Sequence, residues 1–143
     1  RETHPARPGL SHLIDAAASC GFEVHVVSNG FAFYIEDYLR AAGVEGRVSI
    51  HTGETTPVGL VYRDPGGRPT LRRFKQGWAE HFQTTGAEVV YVGDGASDVA
   101  AALLASFVFA RDSLLSRLTG AATEVRAFAD LHDVVRGLQE LYG

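Results

Sequence analysis

The sequence predicts an α/β fold in which helices cover both faces of a mostly parallel sheet. Segments with helical spacing of apolar residues alternate along the chain with short apolar, β-branched segments. Strands that are separated by helices are typical of parallel sheets. The chain has 143 residues, of which 45% are hydrophobic and 21% charged, and its formal net charge is −4. This length and composition predict one globular domain over residues 1–143.

The first third of the chain predicts two helices with one strand between them. The apolar residues of the first helix lie on one face and are Leu10, Leu13, Ile14 and Ala17. Gly21 ends this helix, and EVHVV then forms a buried strand. FAFYIEDYLRAAGV repeats the helical spacing from Phe31, and Gly43 supplies its C-terminal cap.

The remainder of the chain predicts further alternation. RVSIHTGETTPVGLVYRDPGGRPT is rich in β-branched residues and contains the turn signal DPGG, which indicates short strands and a hairpin. LRRFKQGWAEHF is predicted to be helical and EVVYVG to be a strand. SDVAAALLA forms a helix that leads into the short strand SFVFA, and DLHDVVRGLQELYG forms a final amphipathic helix.

Charge and cysteine usage limit the classes of partner. The arginines are scattered, and the pair Arg72 and Arg73 is the densest basic spot, so we expect no nucleic-acid partner. The apolar runs are shorter than the roughly 18 residues of a membrane span, and RETHPARPGL does not have the apolar segment of a signal peptide. Cys20 is the only cysteine, which excludes an internal disulfide and suits a reducing compartment. We therefore expect a cytoplasmic protein with no membrane partner.

HVVSNG, residues 25–30, ends an apolar strand on three small polar residues. Ligands of open parallel sheets bind beyond the carboxyl ends of the strands. If a helix begins near Phe31, the backbone N–H groups of Asn29 and Gly30 and the hydroxyl of Ser28 form a phosphate seat. The same residues suit a plain helix cap, which this short motif alone favours.

VVYVGDGASD, residues 89–98, is a more specific signal. Gly93 and Gly95 allow a tight turn, so that the Asp94 carboxylate projects from the strand end, and Asp98 lies in the first turn of the next helix. Two carboxylates on one loop suit Mg²⁺, although both aspartates also suit helix capping. A dinucleotide-binding GxGxxG turn is a weaker alternative because Asp98, at the sixth position, would repel a pyrophosphate.

Lys75 is the only lysine in the chain, beside twelve arginines. A lysine ammonium is a compact charge that fits between anionic oxygens, whereas an arginine guanidinium is a planar fork. A surface lysine left by chance is an equally good interpretation of Lys75 alone. Its combination with Ser28, Asp94 and Asp98 favours phosphate chemistry.

The order VVSNG, FK and VGDGASD resembles motifs two, three and four of the haloacid dehalogenase (HAD) superfamily of phosphatases. SNGFAFYIEDYL and YVGDGASDVAAALLASFVFARDSL are similar to the methionine-salvage branch of its phosphoserine-phosphatase-like group. The resemblance extends from about Pro8 to the C-terminus. It implies a Rossmannoid three-layer sandwich that hydrolyses a small phosphorylated metabolite with Mg²⁺, through an aspartyl-phosphate intermediate.

The resemblance also implies a role for each matching residue. Ser28 would bind the transferring phosphoryl group together with Asn29 and Gly30. Lys75 would be catalytic and would bridge the phosphoryl group and the nucleophile. Asp94 would ligate Mg²⁺ directly, and Asp98 would support the metal site.

The chain departs from the family pattern at its beginning. No apolar strand ending in Asp-x-Asp precedes RPGL within these residues, and the cap segment between the first two motifs is missing. We expect either a fragment, which we favour, or a short relative that has given up catalysis. The sheet would then lack its first central strand, between the strands that end at Ser28 and Asp94. We expect these two strands to close on each other, or a partner chain or second copy to fill the space.

Two other functions remain open at this point. One is a non-catalytic module that binds phosphate and Mg²⁺, and the other is a Rossmann-type nucleotide-binding domain. The chain alone is predicted to be inactive, because the nucleophile and the general acid belong to the first motif.

Overall fold

The structure is a computed structural model that describes residues 9–31, 39–41, 43, 46–56, 59–63, 65–70, 74–121 and 123–143. The side chains of residues 28–31, 52–56, 59–61 and 69 are outside this description. The chain divides into two compact units. The first comprises Arg1–Glu54 and Ala129–Gly143, and the second comprises Thr55–Phe128. The single domain predicted from the length stays a prediction.

The first unit combines two helices with a parallel strand pair. Its elements are α1 (Leu10–Ser19), β1 (His25–Phe31), α5 (Leu131–Tyr142) and the part of β2 (Ser49–Thr56) that ends at Glu54. Strand β1 pairs in parallel with β2, with His25 opposite Ser49. Helix α1 packs against α5. A small core joins α1 to the strands and consists of Ile14 and Leu39, with Leu10, Val24, Val48 and Ile50 around them.

Strand β1 is longer than the sequence predicted. The strand continues through Ser28, Asn29 and Gly30 to Phe31, so the predicted turn at 28–30 is wrong and Phe31 itself lies in the strand. Between the pairs Val27–His51 and Phe31–Gly53, β1 advances four residues while β2 advances two. The small residues therefore form an irregularity within the strand rather than its end. The rest of the predicted helix falls on residues 32–38, outside the described residues, and on residues 39–41, which are helical.

The second unit contains a hairpin and a parallel sheet. Its strands are β3 (Gly59–Arg63), β4 (Pro69–Thr70), β5 (Val90–Gly93), β6 (Phe107–Ala110) and β7 (Glu124–Ala127). Its helices are α2 (Phe74–Thr84), α3 (Val99–Ala102), preceded by the 3₁₀ turn Ala96–Asp98, and α4 (Asp112–Leu118). Strands β3 and β4 pair antiparallel, as the DPGG turn signal predicted.

The parallel sheet of the second unit has the strand order β5-β6-β7. All four residues of the central strand β6 are buried, which matches a strand covered on both faces. Gly93 at the end of β5 lies opposite Ala110 at the end of β6. Strand β5 and strand β6 therefore reach the same sheet edge together, and the residues that follow them, Asp94 and Arg111, are brought side by side.

The α/β class and the parallel pairing predicted from the sequence are confirmed. The pairings β1–β2, β5–β6 and β6–β7 are parallel. The sequence reading missed α4 and β7, and the helix predicted from SDVAAALLA is a 3₁₀ turn followed by only four α-helical residues. Strands β1 and β5, which were expected to close on each other, belong to different sheets of the described part. Within the described residues no helix is long and apolar enough to cross a membrane.

Candidate functional site

The carboxyl end of β5 carries the candidate site. Asp94 follows the last strand residue, and its side chain is 38% exposed. The loop then turns through Gly95 into the 3₁₀ turn that ends at Asp98. Asp98, in contrast, is only 5% exposed and is the one buried charged residue of the described chain. The two aspartates of GDGASD thus occupy very different surroundings.

The Asp98 carboxylate is the centre of a hydrogen-bond network. Its Oδ1 accepts hydrogen bonds from Tyr91 Oη at 2.6 Å and from Lys75 Nζ at 2.8 Å. Its Oδ2 accepts hydrogen bonds from the backbone N–H groups of Gly95 at 3.0 Å and Asp94 at 3.3 Å. Four donors compensate the burial of this charge, as burial of an ion requires. Asp98 therefore fixes the loop at the strand end.

Gly93 is required because a side chain at this position would not fit, and not because the backbone adopts an unusual conformation. A Cβ at this position would lie 2.9 Å from Asp98 Cγ and 3.0 Å from Tyr91 Cε1. A Cβ at Gly95 would lie 3.6 Å from Asp98 Oδ2, an ordinary contact, and neither glycine has a positive φ. The first glycine of the motif therefore lets the Asp98 carboxylate approach the strand.

Lys75 reaches this network from a different element. It is the second residue of α2, which packs against α3. Its ammonium donates to Asp98 Oδ1 and, at 3.2 Å, to the hydroxyl of Ser97. The side chain is 16% exposed. The single lysine of the chain is thus held at the loop by a largely buried ion pair.

The network also sets the protonation of its members. Burial alone would raise the pKa of Asp98, but hydrogen bonds from Lys75, Tyr91 and the Gly95 N–H together lower that pKa below its usual value. Burial, the hydrogen bond to Asp98 and the negative charge of Asp98 all raise the pKa of the Tyr91 phenol. At neutral pH the site therefore holds an ionised Asp98 and a protonated Tyr91.

Arg111 forms the other side of the strand end. Its Nη2 lies 3.7 Å from Asp94 Oδ2, its Nε lies 3.6 Å from Asp112 Oδ2, and its Cζ lies 5.5 Å from the centre of the Phe128 ring. Asp112, the first residue of α4, has a φ of 52°, which is a strained conformation for a residue with a side chain. Arg111 places a second cation beside the exposed carboxylate.

The structure brings Lys75, Asp94 and Asp98 into one neighbourhood within the second unit. Ser28, Asn29 and Gly30 belong to the first unit, and their side chains are outside the described part of the chain, so the phosphate seat stays a prediction. The roles of all six residues remain those implied by the resemblance.

The sequence analysis missed Tyr91 and Arg111. A tyrosine inside a buried apolar strand was the available signal for the first, because a buried phenol needs a hydrogen-bond partner. Arg111 follows β6 as Asp94 follows β5, but this signal required the register of the two strands. Neither role could be read from the motif letters alone.

A magnesium ion suits the partly exposed Asp94 carboxylate, and the part of Asp98 in the metal site stays a prediction. Mg²⁺ sites commonly use one or two carboxylates, with water and substrate phosphate filling the other positions. The Asp94 carboxylate is partly exposed and suits this role. Both oxygens of Asp98 already accept two hydrogen bonds each, so Asp98 holds the loop that carries Asp94. Among the described residues no cluster of three or more His, Cys, Asp or Glu side chains forms a complete protein-only site.

The loop is a poor dinucleotide turn for a related reason. The N–H groups of Asp94 and Gly95, which would face a pyrophosphate, donate to Asp98 Oδ2 instead. The buried negative charge at Asp98 would also repel that ligand. This geometry disfavours the Rossmann-type alternative.

Comparison with protein families agrees with the fold and the motifs. The family of haloacid dehalogenase-like hydrolases matches residues 1–103. The chain therefore belongs to the haloacid dehalogenase-like hydrolase family. A crystal structure of a HAD-superfamily hydrolase from Ehrlichia chaffeensis has the same fold, with a TM-score of 0.60 and 14% identity. The match covers 96% of this chain and 59% of that chain.

Individual relatives narrow the resemblance. The chain is 29% identical to the bifunctional enzyme MtnB/MtnX of Bacillus licheniformis over 94% of this chain and 33% of the relative. It is 24% identical to a 2-hydroxy-3-keto-5-methylthiopentenyl-1-phosphate phosphatase of Lysinibacillus sphaericus, over 98% of this chain and 65% of that protein. A phosphatase of the same name from Exiguobacterium sibiricum is 26% identical, over 93% and 63%.

These relatives confirm the resemblance to HAD phosphatases near the methionine-salvage branch that the motifs indicated. The chain spans between 33% and 65% of the length of the curated relatives.

Proposed function

We propose that this chain carries the phosphate-binding and metal-binding part of a Mg²⁺-dependent phosphatase that hydrolyses a small phosphomonoester. The observation that carries the proposal is the ion pair between Lys75 and the buried Asp98, at the strand end where Asp94 is exposed. In this arrangement the Lys75 ammonium can contact a phosphoryl oxygen, and the Asp94 carboxylate can contact Mg²⁺. Two of the relatives are named as phosphatases of a phosphorylated keto compound, which supports the substrate class.

In this proposal Lys75 and Asp98 position the phosphoryl group. The ammonium of Lys75 uses one N–H for Asp98 and one for Ser97, which leaves a third for a phosphoryl oxygen. Because Asp98 is held by three other donors, the ammonium remains in place when a ligand arrives. Positioned charge of this kind provides much of the catalysis of phosphoryl transfer.

Asp94 would hold the Mg²⁺ ion, with Arg111 beside it to limit the local negative charge. When bound, Mg²⁺ neutralises charge on the phosphoryl oxygens. Asp94 is kept at the strand end by its carbonyl group, which accepts a hydrogen bond from the N–H of Leu114 at 3.1 Å. This contact ties the proposed ligand to the first turn of α4.

The phosphoryl group would pass to an aspartate and then to water, through an aspartyl-phosphate intermediate. No Asp-x-Asp sequence occurs in the chain, so these residues offer no match for that nucleophile. We propose that it lies outside the 143 residues, on the missing central strand or on a partner chain.

The test measures phosphate release from a panel of small phosphomonoesters. The protein assayed is the natural protein that contains these 143 residues, with whatever sequence flanks them. We expect turnover with Mg²⁺, none with EDTA, and a loss of about a hundredfold or more in Lys75→Ala. Arg136→Ala is a matched control, because it removes one positive charge from the exposed face of α5. Activity that persists in EDTA and in Lys75→Ala would contradict the proposal.

A second candidate function is a non-catalytic module that binds phosphate and Mg²⁺. The ion pair of Lys75 with Asp98 and the partly exposed Asp94 are groups for binding, and binding does not require a nucleophile. Binding of tungstate with Mg²⁺, combined with no turnover in the native sequence context, would identify this function.

A further inference from the structure

We propose that Tyr91 is a positioning residue for Lys75 and acts through the Asp98 carboxylate that both residues share. The inference rests on the proposed function, in which Lys75 contacts the phosphoryl group. It adds a residue that lies outside the motif letters and in the middle of a strand.

The first observation is how completely the Asp98 carboxylate is fixed. Tyr91 and Lys75 occupy Oδ1, and two backbone N–H groups occupy Oδ2. A rotation of the carboxylate would break bonds on both oxygens at once. The phenol makes the shortest of the four bonds, at 2.6 Å.

The second observation is that Tyr91 itself is rigidly placed. It lies in the middle of β5, opposite Val108 of the fully buried strand β6. Its ring edge would be 3.0 Å from a Cβ at Gly93, so the ring packs directly over the glycine. Tyr91 and Asp94 therefore belong to one short strand and its end, and the strand links the position of the phenol to the position of the proposed metal ligand.

The third observation is that Tyr91 and Lys75 both donate a hydrogen bond to Asp98 Oδ1. With the phenol present, Lys75 holds Oδ1 through one N–H and keeps its other N–H groups for Ser97 and a ligand. Without the phenol, the carboxylate has an unfilled acceptor position and more unshared charge, which the ammonium is the nearest group to satisfy. Lys75 would then be drawn onto Asp98 and away from a phosphoryl oxygen.

The unique lysine makes this inference directly measurable. Protein labelled with ¹⁵N- and ¹³C-lysine has a single Nζ and a single Cε signal, both from Lys75. The variant is Tyr91→Phe, and the matched control is Tyr142→Phe, which removes the same hydroxyl from a ring that packs edge-on against Phe22 in the first unit. Tungstate is the phosphate probe, and its affinity is measured by calorimetry.

We expect Tyr91→Phe to shift the Lys75 signals and to lower tungstate affinity about three- to tenfold, the effect of one lost hydrogen bond. Tyr142→Phe is expected to change neither. A folded Tyr91→Phe protein with unchanged Lys75 signals and unchanged affinity would overturn the inference. If Tyr91→Phe shifts the Lys75 signals but the wild-type protein does not bind tungstate, the positioning role is supported and the phosphate site of the proposed function is overturned.

A second variant covers the case in which Tyr91→Phe does not fold. Incorporation of 3-fluorotyrosine keeps every ring and makes each phenol a stronger donor. A stronger phenol donor leaves less unshared charge on Asp98 Oδ1 for the Lys75 ammonium. The Lys75 signals are therefore expected to shift and tungstate affinity to rise. Fluorotyrosine-labelled protein that is unchanged in both respects would contradict the role of Tyr91.

Discussion

Two aspartates four residues apart have different physical roles because their surroundings differ. Asp98 is buried and accepts four hydrogen bonds, whereas Asp94 is partly exposed at a strand end beside Arg111. A carboxylate with all its acceptor positions filled holds structure in place, and one that faces solvent can bind an ion. Under the proposed function, Asp98 anchors the loop and Asp94 binds the metal ion.

Asp94→Asn is expected to weaken Mg²⁺ binding about tenfold or more, because it removes a full negative charge beside a divalent ion. The fold should persist, since the side chain is partly exposed and an amide has nearly the same shape. Calorimetric titration with Mg²⁺ measures the affinity. The control is Asp15→Asn, which removes an exposed carboxylate from α1. Unchanged Mg²⁺ affinity in Asp94→Asn would show that Asp94 is not part of the metal site.

Lys75→Arg is expected to lower tungstate affinity about tenfold or more, although it keeps the positive charge. A planar guanidinium is too wide to donate to Asp98 Oδ1 and Ser97 Oγ as the compact ammonium does. Calorimetry with tungstate is the measurement. If Lys75 were a chance surface residue, the substitution would be silent in both binding and stability.

Stability is expected to fall in acid partly through Asp98. The pKa of Asp98 is lower in the folded state than its ordinary value of 3.8. The stabilisation is therefore present above the ordinary value and is lost as pH falls through the folded value. Urea unfolding at about pH 6 and about pH 3 should show a smaller acid-induced loss in Asp98→Asn than in the wild type. An equal loss in both proteins would contradict this contribution.

At the scale of elements, the sequence predicted best where apolar periodicity was strong and long. Helices α1, α2 and α5 and the strands β5 and β6 were all recognised from their patterns. Strand β7 is as short as β5 and β6, but it was missed because EVRA contains two charged residues where FVFA is an apolar run. Helix α4 was missed because DSLLSRL is short for a helix, and both elements depend on pairing with β6 or packing around it. Local pattern carries little information about elements that tertiary contacts stabilise.

The same limit explains the errors around the site. SNG reads locally as a turn, yet pairing with β2 keeps these residues within β1, through an irregular register. The two aspartates and the lysine were recognised from residue type and spacing. Spacing does not show that Asp98 is buried or that Tyr91 donates a hydrogen bond to it. The difference between Asp94 and Asp98 therefore became visible only in the structure.

The start of α5 provides a test at this scale. Asp130 accepts hydrogen bonds from the N–H groups of His132 and Asp133, and Asp133 accepts from Asp130 and Ala129. This is a reciprocal capping box. Asp130→Ala is expected to lower the free energy of unfolding by about 1 kcal/mol, measured by urea titration, whereas Asp130→Asn should retain most of the cap. Equal losses in the two variants would exclude capping as the cause.

At the scale of the whole molecule, the chain has charged groups for positioning but no matched group for covalent chemistry. The second unit holds Lys75, Asp94, Asp98 and Arg111 around one strand end. In the resemblance to HAD phosphatases, none of these residues attacks phosphorus or protonates the leaving oxygen. We therefore expect both groups to come from outside these 143 residues.

The last prediction is that these 143 residues alone do not hydrolyse phosphomonoesters at a useful rate, although we expect them to bind tungstate and Mg²⁺. Hydrolysis of this type needs a carboxylate in line with phosphorus and an acid for the leaving oxygen, and positioned charge does not replace the covalent step. The measurement is p-nitrophenyl phosphate hydrolysis with Mg²⁺, first for the bare chain and then for a fusion with an upstream strand ending in Asp-x-Asp and a cap segment. The fusion is expected to gain activity that Asp94→Asn removes. Robust turnover by the bare chain, abolished by Asp94→Asn, would show that a nucleophile lies within these residues.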